Sequence, residues 1–217
     1  MNKLFYKERK LAASPLSYFF LVGTLLTFVP GYPILFAAFF VTLGLFYSFQ
    51  TTRENHDIAY SLLLPIAKAD IVKGKFAFAV SIELAAFLAM TVFTLLRMLF
   101  FRDAAVYTSN VLMCANLAFL GFGLLLFGLF NLLFLGGFFK TAYYFGKPFI
   151  AYGIVSLLVI TAAETLHHLP GLEALNAFGF APLLPQGAVL LAGILFFVLL
   201  TVLAYQKSKK CFEMLDL

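Results

Sequence analysis

Residues 111–139 read VLMCANLAFLGFGLLLFGLFNLLFLGGFF, without one Asp, Glu, Lys or Arg. A helix crossing a hydrocarbon layer of about 30 Å needs roughly 20 apolar residues, so this run is long enough to cross with a tilt or a bend. Its glycines (Gly121, Gly123, Gly128, Gly136 and Gly137) permit either. A barrel strand is excluded, because barrel strands alternate apolar and polar residues over about ten positions. Composition agrees. Hydrophobic residues make up 63% of the chain and charged residues 12%, with a mean hydropathy of +1.00. A soluble domain carries about a quarter charged residues; here there are too few polar side chains to cover a water-facing surface. The chain reads as an all-α membrane protein.

Working outward from that run, six transmembrane helices emerge. The spans are 15–29, 34–49, 76–100, 111–139, 148–163 and 186–205. Pro30, Gly31 and Pro33 form a breaker between the first two. All fifteen Lys and Arg residues except Arg97 and Arg102 fall on one side if the N-terminus is inside. The positive-inside rule then puts both termini in the cytosol. Segment 1–14 mixes Leu4, Phe5, Tyr6 and Leu11 with Lys3, Lys7, Arg9 and Lys10, which suits a helix lying on the anionic inner surface. No cleavage site of small residues follows 16–29, so that stretch reads as a retained span rather than a signal peptide. Segment 166–185 is apolar but broken by Pro170, Gly171, Gly179, Pro182 and Pro185. It is expected as an outer re-entrant segment, a pair of short helices dipping into the outer leaflet before the sixth span.

The net charge of +5 does not indicate nucleic acid, because the cations cluster beside apolar runs with no interleaved reading surface. Cys114 lies in an apolar run and Cys211 in the basic tail, too far apart for a disulfide framework. Neither Gly74-Lys75 nor Gly136-Gly137 through Lys140-Thr141 has the spacing of a phosphate-binding loop. The chain is therefore expected to hydrolyse no ATP itself.

Loop 50–75 differs from the rest: a polar start, an apolar middle and a basic end. Pro65 divides it into a short helix before and a second helix from about Lys68 into the third span. Tyr60, Leu62, Leu63 and Leu64 on the first helix are expected to face the cytosol, covered either by a partner or by the membrane interface.

Arg53, Asn55, Asp57, Tyr60, Ser61, Leu63, Leu64, Pro65, Lys68, Asp70, Ile71, Val72, Lys73, Gly74 and Lys75 stand as in a stretch common among small bacterial ABC-2 family transporter permeases. The N-terminal residues 3–8 and 14–20 and the six-span layout are similar too; the later half resembles the family mainly in architecture. One departure is His56, an extra residue between Asn55 and Asp57. Membrane subunits of exporters for amphipathic peptide toxins (phenol-soluble modulins) and of lantibiotic-immunity systems look most alike. The resemblance implies a multi-pass protein of a bacterial plasma membrane whose loop 50–75 is a coupling helix. It would dock an ABC nucleotide-binding ATPase subunit on Arg53, Asn55, Asp57, Tyr60, Ser61, Leu63, Leu64, Pro65 and Lys68. ATP and magnesium would belong to that partner, with no cofactor here, and a second copy or a paralogous permease would complete the pathway. Helices after 166 would cap it.

Glu83 is a carboxyl inside the third span, which is costly in lipid. It either contacts substrate or carries a proton, or it accepts hydrogen bonds from a neighbouring helix. Asn116 and Asn131 on the fourth span are expected as hydrogen-bond glue, and with Glu83 they mark a substrate path. Arg97 is expected to snorkel to the outer interface or to pair with Asp103. Glu164 and His168 form at most a weak metal pair. Most of the 29 Phe residues are expected to face lipid. A proton-coupled secondary transporter using Glu83 is the alternative function. The two halves do not repeat, since loop 50–75 is long and 140–147 short. An intramembrane enzyme lacks its nucleophile motif.

Overall fold

Ser14 and Pro15 decide where the N-terminal segment turns. The Ser14 side chain accepts the Leu16 amide at 3.3 Å as an N-cap, and Pro15 opens helix α2 (Pro15–Phe19). Before it, α1 (Asn2–Lys7) continues as a π-helix over Glu8–Ala12. The two rods meet at 92°. In this computed structural model the described residues are 2–29, 31–110, 112, 114–180 and 182–215, and every described element is helical. Met1, Pro30 of the expected breaker and Val111 at the expected start of the fourth span lie outside them.

From Phe20 to Phe28 the chain winds as a 3₁₀-helix. At about 2 Å per residue this stretches Pro15–Phe28 to about 25 Å, more reach than α-helix would give the same residues. Then come α3 (Phe36–Glu54), α4 (Asp57–Leu62), α5 (Lys68–Phe100) and α6 (Ala105–Thr108). Next, α7 (Leu117–Leu129) passes through a π-turn (Phe130–Leu135) into α8 (Gly136–Phe138), one rod of 22 residues. Last are α9 (Gly146–Glu164), α10 (Glu173–Asn176) and α11 (Leu183–Glu213).

Four of these rods are long and apolar enough to cross a membrane: α5, α7 with α8, α9 and α11. The count reaches five if the bent N-terminal pair is one span. α3, at the place of the second expected span, ends in the polar turn Gln50–Glu54 and falls short of that standard. α5 and α11 have 33 and 31 residues, about 50 and 46 Å, so both outrun a 30 Å layer. α11 carries the chain well past Tyr205, the expected end of the sixth span.

Several expectations change here. The fourth helix begins at Leu117 rather than near 111, because Asn116 is extended and its side chain caps the Phe119 amide at 2.8 Å. Arg97 does not snorkel. It is fully buried, its Nη1 donates to the Thr27 carbonyl at 2.5 Å, and its guanidinium lies 4.3 Å from the Tyr107 ring centre. The 3₁₀ segment ends at Phe28 and offers that carbonyl, while Tyr107 folds over the cation and donates to the Phe28 carbonyl at 2.9 Å. Asp103 instead sits 3.5 Å from Arg102 on the surface. Among its described residues, segment 166–185 holds a 3₁₀ turn (Leu166–His168), the four-residue α10 and, from Leu183, the start of α11, with irregular chain between them. The Asn116 amide donates to Leu175 and Ala177 carbonyls, and the Gln186 amide to Ala174 and Ala177, which ties the irregular chain down.

The core lies where α3, α5, α7 and α11 meet. Phe127, Phe130, Phe134, Phe138 and Phe139 are fully buried there rather than lipid-facing. Phe46 stacks on Phe149 at 4.1 Å, and Phe49 meets Phe138 edge-on at 5.0 Å. α7 and α11 pack most extensively. Gly121 and Gly193 are the reason: a Cβ on either would collide with backbone of the facing helix. In lipid, association relies on such close approach rather than on expulsion of water. Gly193→Val should therefore cost about 1–3 kcal/mol and lower the thermal unfolding midpoint in detergent. An unchanged midpoint would show that the two helices are free to separate.

Candidate functional site

α4 is a six-residue helix held between two breaks. At its start, His56 adopts φ 51 and ψ 29, the left-handed region, which reverses the chain after α3. At its end, Pro65 keeps the chain from continuing, and α5 restarts at Lys68. Asp57 occupies the first turn of α4, where a carboxylate is favoured.

The helix has two faces. Ile58 and Ser61 are buried, and Leu62 packs half-buried against the core instead of facing outward as expected. Tyr60 and Leu63 point away, 67% and 82% exposed, followed by the exposed Leu64 and Pro65.

On the inner face, four ionic side chains close into one network. Lys75 of α5 is 2% exposed and reaches Glu8 Oε2 at 2.8 Å and Asp57 Oδ2 at 2.9 Å. Lys7 reaches Asp57 Oδ1 at 2.7 Å and Glu8 Oε1 at 3.1 Å, and donates to Ser61 Oγ at 2.6 Å. Thr52 Oγ1 accepts from Lys75 at 3.2 Å. Two cations and two anions balance, which is what allows burial. α1, its π-helical continuation, α3, α4 and α5 are thereby fastened together. Burial raises the Asp57 carboxyl, but the charges and hydrogen bonds of Lys75 and Lys7 outweigh it and hold the group below its ordinary 3.8.

On the outer face, a cleft of about 480 Å³ opens between α4 and the turn after α8. Arg53, His56, Tyr60, Leu63, Ala142 and Tyr143 line it. The turn is shaped by Ala142 at φ 55 and by Thr141, whose hydroxyl accepts the Tyr144 amide at 3.0 Å. The Arg53 guanidinium sits 4.4 Å from the Phe145 ring centre and 5.6 Å from Tyr143, which fixes the cleft's far wall.

The residues expected to dock a partner are therefore split. Arg53, Tyr60 and Leu63 share the cleft, with Leu64 exposed beyond it; Asn55 and Pro65 are exposed beside it. Asp57 and Ser61 face inward, where Lys7 and Lys75 engage them. Lys68 is also turned away, donating to the Leu215 carbonyl at 2.5 Å. That bond brings the C-terminal end of α11 to the same end of the bundle as α1 and α4. Sequence reasoning missed Glu8 and the 141–145 turn. Glu8 left one signal, as the single acid among the cations of 1–14. Gly74-Lys75 and Gly136-Gly137 both lie inside helix, so their amides do not form a phosphate cradle.

Glu83 and Asn131 do come together: the Asn131 amide donates to Glu83 Oε2 at 2.9 Å. Asn116 does not join them; it caps α7 at the end remote from α4.

Lys75→Met should destabilise the fold by about 3–5 kcal/mol, since it strands buried carboxylates. The pH dependence has a definite sign. A depressed Asp57 contributes stability that is complete above 3.8 and lost as pH falls through its lower folded value. Without Lys75 burial pushes the folded value back up, so this contribution shrinks: Lys75→Met, already less stable at neutral pH, should lose stability less steeply as pH falls below 3.8, which acid titration of the folded signal in detergent reads directly. Identical acid limbs for both proteins would count against the network.

A family model described as ABC-2 family transporter protein matches residues 3–213. No curated protein and no solved structure shows significant similarity to the chain. With nearly its whole length matched, the chain belongs to the ABC-2 transporter family, whose members are multi-pass membrane subunits that work with an ATP-binding subunit.

Proposed function

We propose that this chain is the permease subunit of an ATP-driven exporter and that its ATPase partner docks on the cleft beside α4. The observation that carries this reading is the contrast between the two faces of one short helix. Tyr60 and Leu63 are bared to solvent beside a cleft, while Asp57 and Ser61 behind them are bonded into the core. Exposed apolar residues clustered at a concavity are the signature of a docking surface. A helix braced from behind transmits a push instead of yielding to it.

The docking residues are Arg53, Tyr60, Leu63 and Leu64. ATP and magnesium are held by the partner, and closure of the partner pair displaces α4. The Asp57–Lys75 contact passes the displacement to α5, which leads unbroken into the membrane. The spans then rock between inward and outward states around a pathway completed by a second copy or a related permease. The substrate is hydrophobic or amphipathic, a peptide by the resemblance of loop 50–75 to peptide exporters, and the setting is a bacterial plasma membrane.

The proposed arrangement has six crossings with both termini in the cytosol, α2 with its 3₁₀ extension and α3 being the first two. Glu8 of the N-terminal segment and Leu215 of the tail both meet the α4–α5 region. Chain ends on one side require an even number of crossings, and cations concentrate at that side.

Leu63→Glu combined with Leu64→Glu should abolish stimulation of the co-purified ATPase while the protein stays in the membrane at normal levels. Full stimulation by the double variant would remove α4 as the docking element.

A further inference from the structure

The middle of the bundle holds an ionisable group that neither α4 nor the cleft uses. Glu83 is fully buried on α5, eight residues or about 12 Å beyond Lys75. Its Oε2 accepts from Asn131 Nδ2 at 2.9 Å, and the same amide donates to Thr201 Oγ1 on α11 at 3.0 Å. Both amide hydrogens of Asn131 are then spent. The remaining oxygens, Glu83 Oε1 and Asn131 Oδ1, are each buried and each lack a donor among the described residues. Two orphaned acceptors on side chains already bonded to each other are short of one hydrogen.

Among the described residues no cation supplies it. Lys75 is committed to Glu8 and Asp57, and Arg97, fourteen residues or about 21 Å farther along α5, to Thr27 and Tyr107. The 3₁₀ segment and the α7–α8 rod carry no charge at all. On α3 the charges are Arg53 and Glu54, and on α11 the first is Lys207, all near the α4 end. On α9 the charges, Lys147 and Glu164, lie at its two ends, and Tyr152 between them, whose hydroxyl lies 2.9 Å from Thr42 Oγ1, brings no charge. A bare carboxylate would sit in the apolar core uncompensated, a state that costs far more than binding a proton.

We infer that Glu83 is a proton-binding site. Its proton resides on Oε1 and is donated to Asn131 Oδ1, closing an acid–amide ring in which both orphaned oxygens are satisfied. The ring locks α5 to the π-turn of the α7–α8 rod and, through Thr201, to α11. Asn131 lies within that π-turn, an irregularity often found at functional positions. Loss of the proton would set carboxylate oxygen against amide oxygen and open the lock, so the junction of these three helices is proton-dependent. The ligand is a proton, and the site is separate from the docking cleft.

The test uses the full chain in lipid nanodiscs. An infrared difference spectrum between the wild type and Glu83→Gln at neutral pH reports whether Glu83 holds a protonated carboxyl. The band should be present in the wild type and shift in D₂O. Glu83→Gln keeps the ring, because its amide N–H replaces the acid O–H, and should unfold at the wild-type temperature. Glu83→Leu and Asn131→Leu lose it and should unfold about 3–6 °C lower. Absence of the carboxyl band from the difference spectrum would overturn the inference. So would a Glu83→Gln protein that unfolds as early as Glu83→Leu.

Discussion

Lys75 carries its charge into a buried position because two carboxylates from distant parts of the chain meet it there. Glu8 comes from the N-terminal segment and Asp57 from the start of α4, with Lys7 closing the set at 20% exposure. Such a network contributes little net energy compared with a well-packed apolar substitute. Its effect is geometric. Charges with no alternative partner force α1, α4 and α5 into one arrangement, and the apolar face of α4 is presented outward only because its polar face is spoken for. The cleft, the brace behind it and the route into the membrane all follow from where one lysine is neutralised.

The same logic runs through the rest of the bundle, since expulsion of water does not hold helices together in lipid. Ser17 donates to the Gly44 carbonyl at 2.7 Å, and Ser48 accepts the Ser14 amide at 3.0 Å, stitching α2 to α3. Gly121 and Gly193 let α7 and α11 touch backbone to backbone. Arg97 pins the end of the 3₁₀ segment. The serine and arginine contacts satisfy polar groups that lipid could not, and the glycine contact admits only residues without a side chain, so each is specific where an ordinary apolar contact would be interchangeable.

The helical membrane class was legible because burying unpaired backbone in lipid is prohibitive, and the run 111–139 admits no other solution. The break at Pro65 was legible from proline's missing N–H and fixed φ. The start of the fourth helix at Leu117 was not, because hydropathy averages over the run and does not register that Asn116 caps. Arg97 was misread for a related reason. Snorkelling is the default for a cation near a helix end, and the default was overridden by a carbonyl some 70 residues earlier in the chain. Exposure within loop 50–75 was half legible: its apolar middle stood out, but an apolar run does not reveal which residues turn inward.

By itself, then, the sequence determined the solvent this protein folds in, the approximate places of its long helices and the loop that carries its family likeness. Those properties are local, set by hydropathy over a turn or two and by the dihedral limits of proline. Tertiary structure alone decided that Asp57 and Ser61 brace while Tyr60 and Leu63 are displayed, that Glu83 and Asn131 share one buried contact, and that Asn116 is far from both. The physical reason is that a charge or amide buried in an apolar medium must find its partner wherever the fold brings one. That partner is chosen by packing in three dimensions and leaves no mark on the spacing along the chain.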